Sequence, residues 1–351
     1  MSTEPKKQVS IQYDSNPFTT AWTGIQKLIR KNAQTVVGTA FFNILLAIIL
    51  ALTFIVCFFA LFTFVINHDE ALRNMYPLPA NTALGFLTSM SDTSIYATWI
   101  IGGIVLVFVI ALMQSLQLQL AIASAKNTAI KFGELLKRSL KTTLPLIGLA
   151  VLILLAFVLT VIIIALLSLA LGYVTVILAL VALLAFVYVE LRLSFAAFSI
   201  VDEHLGPVEA MRRSWKITQD HVMETIGSGA VGLLIIAIPG LIFDALARVT
   251  EGVPVLSGVF GLLNGLVAIV LVVAATVSLA ERYTQLQAVK DKKLTTAPLS
   301  PFNYLAVTVF LIVAPIVGAL SPQLGKDQNN PFNGVHGPTA PNSRQLPTTL
   351  N

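Results

Sequence analysis

The sequence predicts an all-α fold: a polytopic helical membrane bundle of six core transmembrane helices and a shorter seventh, with three amphipathic interfacial helices. Three observations predict it. The chain of 351 residues is 56% hydrophobic and only 11% charged, against roughly 25% charge in soluble globules, and its mean hydropathy is +0.85. Apolar runs recur at lengths near the roughly 20 residues that a helix needs to cross hydrocarbon. The basic residues fall in short clusters beside those runs, the layout of loops retained on the cytoplasmic side. The net charge of +5 therefore points to a bilayer, including its anionic lipids, and not to nucleic acid.

Residues 1–15 are polar and aperiodic and predict a disordered tail. Asn16-Pro17 reads as a cap followed by proline at the first helical position. Phe18, Trp22, Ile25 and Ile29 then form one apolar stripe, with Lys27, Arg30 and Lys31 off it, so 17–32 is a basic helix lying on the membrane. The polar start is the wrong layout for a cleavable signal peptide, so the first span, 36–66, is expected to remain.

A polar connection, Asn67 to Tyr96, leads to a second span, 97–123, with Tyr96 and Trp99 marking the membrane interface. Phe132, Leu135, Leu136, Leu140 and Leu144 recur at helical spacing among Lys131, Lys137, Arg138 and Lys141, giving a second basic helix over 128–143 with a Glu134–Arg138 pair. Spans 145–169 and 174–200 follow, joined by a tight turn at Leu171-Gly172-Tyr173. The third basic helix, 207–222, opens at Gly206-Pro207, sets Val208, Met211, Trp215, Val222 and Ile226 on one face, and offers Glu209–Arg213 and Lys216–Asp220 pairs.

Spans five and six cover 226–247, with a bend expected at Pro239-Gly240, and 256–280. They complete a six-helix membrane domain over 16–294 that closes on a polar stretch, Glu281 to Leu294. Residues 303–320 form the seventh run, and 321–351, rich in Pro, Asn, Thr and Gln, predict a disordered tail. By the positive-inside rule the N-terminus is cytoplasmic; seven spans put the C-terminal tail outside, whereas a last run that only re-enters the membrane leaves it inside.

Lys137-Arg138-Ser139-Leu140-Lys141-Thr142-Thr143 matches Arg212-Arg213-Ser214-Trp215-Lys216-Ile217-Thr218, and Leu28 to Asn32 matches loosely. Each of the three precedes a pair of spans. The plan is a threefold repeat of interfacial helix plus hairpin, set against the plainer reading that polytopic proteins often carry basic amphipathic linkers.

The residues Leu191-Arg192-Leu193-Ser194, Val201-Asp202-Glu203, Leu205 to Ala210 and Arg212-Arg213-Ser214-Trp215 resemble the signature of the membrane domain of glycerophosphoryl diester phosphodiesterases. Related stand-alone bacterial membrane proteins carry similar segments. The resemblance implies a six-helix core in a bacterial inner membrane, with Asp202-Glu203 and Arg212 to Trp215 as its marked residues. It implies no phosphodiesterase activity, because in those enzymes hydrolysis resides in a separate soluble barrel for which this sequence has no pattern.

Catalytic motifs are not evident. The four histidines are scattered over separate polar regions with no metal-ligand spacing, and the single Cys57 lies inside an apolar run. Glu203 and His204 read as a solvated turn sooner than a phosphate or metal site. No glycine-rich phosphate loop or G-x-S-x-G elbow occurs. The expectation is no enzyme and no cofactor.

Two sets of side chains remain as candidates. Arg212, Arg213, Trp215, Lys216, Arg138 and Lys141 are candidate headgroup contacts at the interface. Glu190 and Arg192, with Gln114, Gln117 and Asn264, are a candidate intramembrane polar site, since ionisable groups in lipid are costly. Two residues apart, Glu190 and Arg192 cannot pair along one helix; Arg282 or Gln117 could serve Glu190, and Glu203 or Glu281 could serve Arg192. A structural clamp between spans four and six competes with a transport path. Gly261 to Gly265 fits close helix packing. The expected function is a non-enzymatic membrane scaffold or envelope and lipid-homeostasis component, the alternative a small-solute or lipid transporter.

Overall fold

In the computed structural model, the described residues are 13–68, 91–171, 174–250, 253–291 and 300–309, all within a first unit, Met1–Phe310. They form helices α1 (Pro17–His68), α2 (Asp92–Ala125), α3 (Phe132–Leu171), α4 (Val174–Leu193), α5 (Ala196–Glu203), α6 (Pro207–Thr218), α7 (Val222–Val249) and α8 (Pro254–Lys290), with a last helical segment over 301–309. Among the described residues, six helices are long and apolar enough to cross a membrane. The chain is a multi-pass helical membrane protein. The tails and most of the seventh run lie outside the described residues.

The first basic helix and first span merge into one 52-residue helix broken only at Asn32, at φ −127° and ψ 16°. Asn16 caps its start, its Oδ1 accepting from Phe18 N at 3.0 Å. At the break Asn32 donates to Ser124 Oγ (3.2 Å) and Thr128 O (3.1 Å) and accepts from Ile130 N (3.1 Å). One buried amide thus turns the chain from interface to span and fastens the α2–α3 connection, where Asn127 takes a left-handed conformation (φ 54°). Asn32→Leu is expected to cost about 2–4 kcal/mol by stranding those groups, read as a lower unfolding temperature in detergent.

Several boundaries differ from expectation. The second basic helix starts at Phe132 rather than 128 and runs on through Pro145 into its span as one 40-residue helix. Pro145 removes one bond, to the carbonyl of exposed Lys141, while the buried Ser139 and Thr142 hold α3 to Ser115 of α2. The candidate fourth span reaches Glu203, but its helix breaks after Leu193, where Ser194-Phe195 form a turn before α5. Ser214 Oγ donates to the Arg192 carbonyl (2.7 Å) and accepts from Phe195 N (3.2 Å), and Thr218 Oγ1 adds a bond to that carbonyl (3.2 Å). The break survives because α6 supplies the partners it lost.

The expected polar stretch after span six is instead the end of α8, whose 37 residues reach about 55 Å at 1.5 Å per residue. Hydrocarbon takes about 30 Å of that, and the remainder carries buried Tyr283 and Leu286. Tyr13 to Ser15, expected in the disordered tail, are pinned to the bundle by hydrogen bonds. α7 carries Pro239 within its length.

The core gathers at one end of the bundle. Leu116, Leu120, Leu135, Phe195, Ile200, Ile217, Val277 and Leu286 are buried there, while large apolar side chains along residues 151–167 of α3 and 255–270 of α8 stay exposed. Exposed apolar helix bodies fit lipid as their solvent. At the opposite end Trp99 Nε1 donates to the Cys57 carbonyl at 3.2 Å, and Arg248 pairs with Asp244 at 2.8 Å.

Candidate functional site

The signature residues come together around the α4–α5 break. Arg192, nearly buried, lies over Tyr188 (5.2 Å) and Trp215 (5.3 Å) and donates to the Tyr188 hydroxyl through Nε (2.9 Å) and Nη2 (2.7 Å). A guanidinium set in the corner of two perpendicular rings suits an arginine at a membrane interface. The carboxylates expected to serve it are engaged elsewhere: Glu203 with Arg213, and Glu281 with Lys27.

Glu203 is a hub and not a solvated turn. Its Oε1 accepts from Arg213 Nε (3.0 Å), Tyr283 OH (3.1 Å) and Gln287 Nε2 (3.0 Å). His204 beside it is exposed, in the left-handed conformation (φ 55°) that ends α5. Arg213 also donates to Asp291 (3.1 Å), so α6 is tied to the end of α8 and the expected Glu209–Arg213 pair is not made. Burial alone would lower the pKa of that guanidinium, but the hydrogen bonds and charges of Glu203 and Asp291 outweigh burial and hold it above its ordinary value. Lys126 pairs with Asp202. Asp220, expected against Lys216, faces Lys290 at 3.6 Å, whereas Glu134–Arg138 forms as expected.

Of the headgroup candidates, Arg212, Lys216 and Lys141 are exposed and carry no ion pair among the described residues. Arg138 is exposed but paired, Trp215 is 41% exposed, and Arg213 is withdrawn into the hub. The three basic segments share one disposition. Ala21 and Leu28, Ser139 and Thr142, and Ala210 and Ser214 pack inward, while Trp22 and Ile29, Leu140 and Leu144, and Val208 and Trp215 are exposed. Gly24 allows α1 to approach Val277 closely; a Cβ there would lie 3.0 Å from Val277 Cγ1.

The intramembrane candidates are not assembled into one site. Glu190 lines a groove of about 310 Å³ between α3, α4 and α6 with Leu152, Phe186, Leu193 and Met211, and no hydrogen bond or ion pair engages it among the described residues. Arg282, expected as its partner, pairs with Glu224. Gln114 is exposed, and Gln117 and Asn264 are half-buried. Gly261 and Gly265 face open space, so their spacing serves no packing within the described chain.

A second buried cluster went unnoticed in the sequence. Arg282, with no exposed surface, donates to Ser228 Oγ (3.0 Å), the Asp14 carbonyl (2.7 Å), Gln285 Oε1 (3.3 Å) and Thr20 Oγ1 (3.3 Å), and lies 3.5 Å from Glu224 Oε2. Tyr13 donates to Glu224, and His221 Nδ1 is 3.3 Å from Glu224 Oε1. Burial, then the hydrogen bond and charge of Glu224, push the Tyr13 phenol well above its ordinary value. Lys27 Nζ adds a tie from α1 to Glu281 (2.6 Å) and to the Ala125 carbonyl (3.3 Å). Asn303 donates to the Ser15 carbonyl (2.9 Å). A signal was present in the positions: Glu224, Glu281 and Arg282 all sit where spans end, on the side of the basic helices.

Deeper in the bundle, Asn43 and Gln119 are buried with amide atoms lacking partners. Among the described residues no three His, Cys, Asp or Glu side chains converge as a metal requires. No protein-family model matches the chain, and neither a curated protein nor a solved structure does.

Proposed function

We propose that this multi-pass protein is a non-enzymatic scaffold, or envelope and lipid-homeostasis component, of a bacterial inner membrane, holding its basic helices against the anionic cytoplasmic leaflet. The observation that carries this is the shared disposition of the three basic segments. Each is fastened to the bundle by one face of small, polar and aliphatic side chains, Leu28, Leu135 and Ile217 among them, while a second set of large apolar side chains and unpaired cations stays outward. A helix so arranged sinks its apolar side chains into the headgroup boundary and sets its cations among lipid phosphates. The resemblance to the phosphodiesterase membrane domain belongs to the same proposal: its marked residues serve α6 placement, through Glu203–Arg213 and Ser214, without chemistry.

Arg138→Gln, Lys141→Gln, Arg212→Gln and Lys216→Gln combined are expected to leave folded yield intact and to reduce anionic lipid co-purifying with the protein toward its bulk fraction. Unaltered enrichment sinks the proposal. For orientation, Lys216→Cys in a Cys57→Ala background is expected to react with an impermeant thiol reagent only after permeabilisation; labelling of intact cells reverses the topology. The N-terminus is then cytoplasmic.

Transport remains the second reading, favoured by the unpartnered buried amides of Asn43 and Gln119. It predicts that Glu190→Gln abolishes a flux in proteoliposomes without lowering folded yield; loss of yield alone marks Glu190 as structural.

A further inference from the structure

The break at Asn32 and the loop that follows α2 frame an open cavity of about 620 Å³, lined by Arg30, Lys31 and Gln34 from α1 and by Ile130, Lys131 and Phe132. Its size is that of a ligand pocket. Arg30, Lys31 and Lys131 are exposed and have no hydrogen bond or ion pair among the described residues, and no carboxylate lines the cavity. Three uncompensated cations around one concave space repel each other and favour an anion between them.

The cavity is preformed. Asn32 takes up Thr128 O and Ile130 N, and Thr35 Oγ1 donates to Ile130 O at 2.6 Å. Those loop groups are thereby engaged by α1, and the cationic side chains are left to meet a guest. Phe132 closes one wall by packing edge-on against Phe42, ring centres 5.7 Å apart. At Lys131 the chain enters α3, whose first-turn N–H groups add partial positive charge on the same side.

An apolar strip leads away from it. Ala33 lines the cavity, and Val37 (70% exposed) and Phe41 (72% exposed) follow at four-residue steps on the same face of α1, running into the first span. A cationic cavity continuous with an apolar strip on a membrane helix has the two-part chemistry of one ligand class. We infer that it holds the phosphate of an anionic phospholipid headgroup, with an acyl chain along Val37 and Phe41. This rests on the basic end facing lipid, and adds a discrete site and a lipid class.

The test titrates the full chain in detergent with dioleoyl phosphatidate and counts lipid adducts by native mass spectrometry, with dioleoyl phosphatidylcholine as the zwitterionic reference. One retained phosphatidate is expected. Arg30→Gln, Lys31→Gln and Lys131→Gln together should weaken it about tenfold or more, and Val37→Ser with Phe41→Ser should weaken it separately. Lys137→Gln, which removes an exposed charge outside the cavity, should leave it bound. Equal loss in that control would show diffuse surface charge and overturn the site. Displacement of the lipid by inorganic phosphate at matched concentration would make it a free-anion site and overturn the lipid assignment. If the triple variant folds poorly, Lys131→Gln alone carries the test with a smaller expected loss. Because the four-charge variant that probes the proposed function leaves this cavity intact, loss of general lipid enrichment with the single adduct retained, or the reverse, separates the two proposals.

Discussion

Arg282→Met is expected to remove most of the folded protein recovered from membranes, at a cost of about 3–5 kcal/mol. The guanidinium is wholly buried and its donors reach four different segments: Asp14, Thr20, Ser228 and its own helix at Gln285. Its removal takes the arginine from Glu224 in a buried pocket it shares with Tyr13 and His221. Arg282→Lys should rescue little, because an ammonium on a flexible stem cannot replace a planar fork reaching several directions. Arg282→Met with Glu224→Met should recover part of the loss, since the uncompensated charge goes with its partner. Thermal unfolding in mild detergent, followed by fluorescence-detected size-exclusion chromatography, reads all three. An unfolding temperature for Arg282→Met equal to the parent's would mean the cluster does not hold the bundle together.

Glu203→Ala is expected to cost about 2–4 kcal/mol and to loosen α6 from α8. One carboxylate oxygen accepts from Arg213, Tyr283 and Gln287, and Tyr283 has no exposed surface to regain water. The exchanged pair, Glu203→Arg with Arg213→Glu, should not restore stability, although it keeps both charges, because the Tyr283 hydroxyl and Gln287 amide still lack an acceptor. Full recovery by the exchange would reduce the hub to a simple ion pair. Amide hydrogen exchange over 207–218 should rise in Glu203→Ala before global unfolding, which separates detachment of α6 from loss of the whole fold.

Most of the spans were legible from hydropathy, because a chain in lipid must satisfy its backbone within each helix and so writes every crossing as a long apolar run. The Asn16-Pro17 cap, Gly206-Pro207 and the Glu134–Arg138 pair were legible for a local reason: both partners lie within one helical turn. The break after Leu193 was not, since Leu191 to Ile200 reads as continuing span and the groups that permit the break, Ser214 and Thr218, lie on another helix. Arg213 illustrates the same limit in electrostatics. Glu209 is its neighbour by spacing, but Glu203 and Asp291 offer a less exposed, better-oriented pair once α5 and α8 are in place.

The sequence by itself determined that this is an all-α membrane bundle, where its helices cross, and which stripes of the basic helices are large and apolar. Only the tertiary structure decided which faces meet. Close helix approach favours small side chains, so Ala21, Gly24, Ala210 and Ser214 turn inward while the larger Trp22 and Trp215 turn out. It also decided that Glu203, Glu224, Arg282 and Asn32 are the fastenings of the basic end. Each draws its partners from segments remote in the chain, and no local pattern can write such a choice.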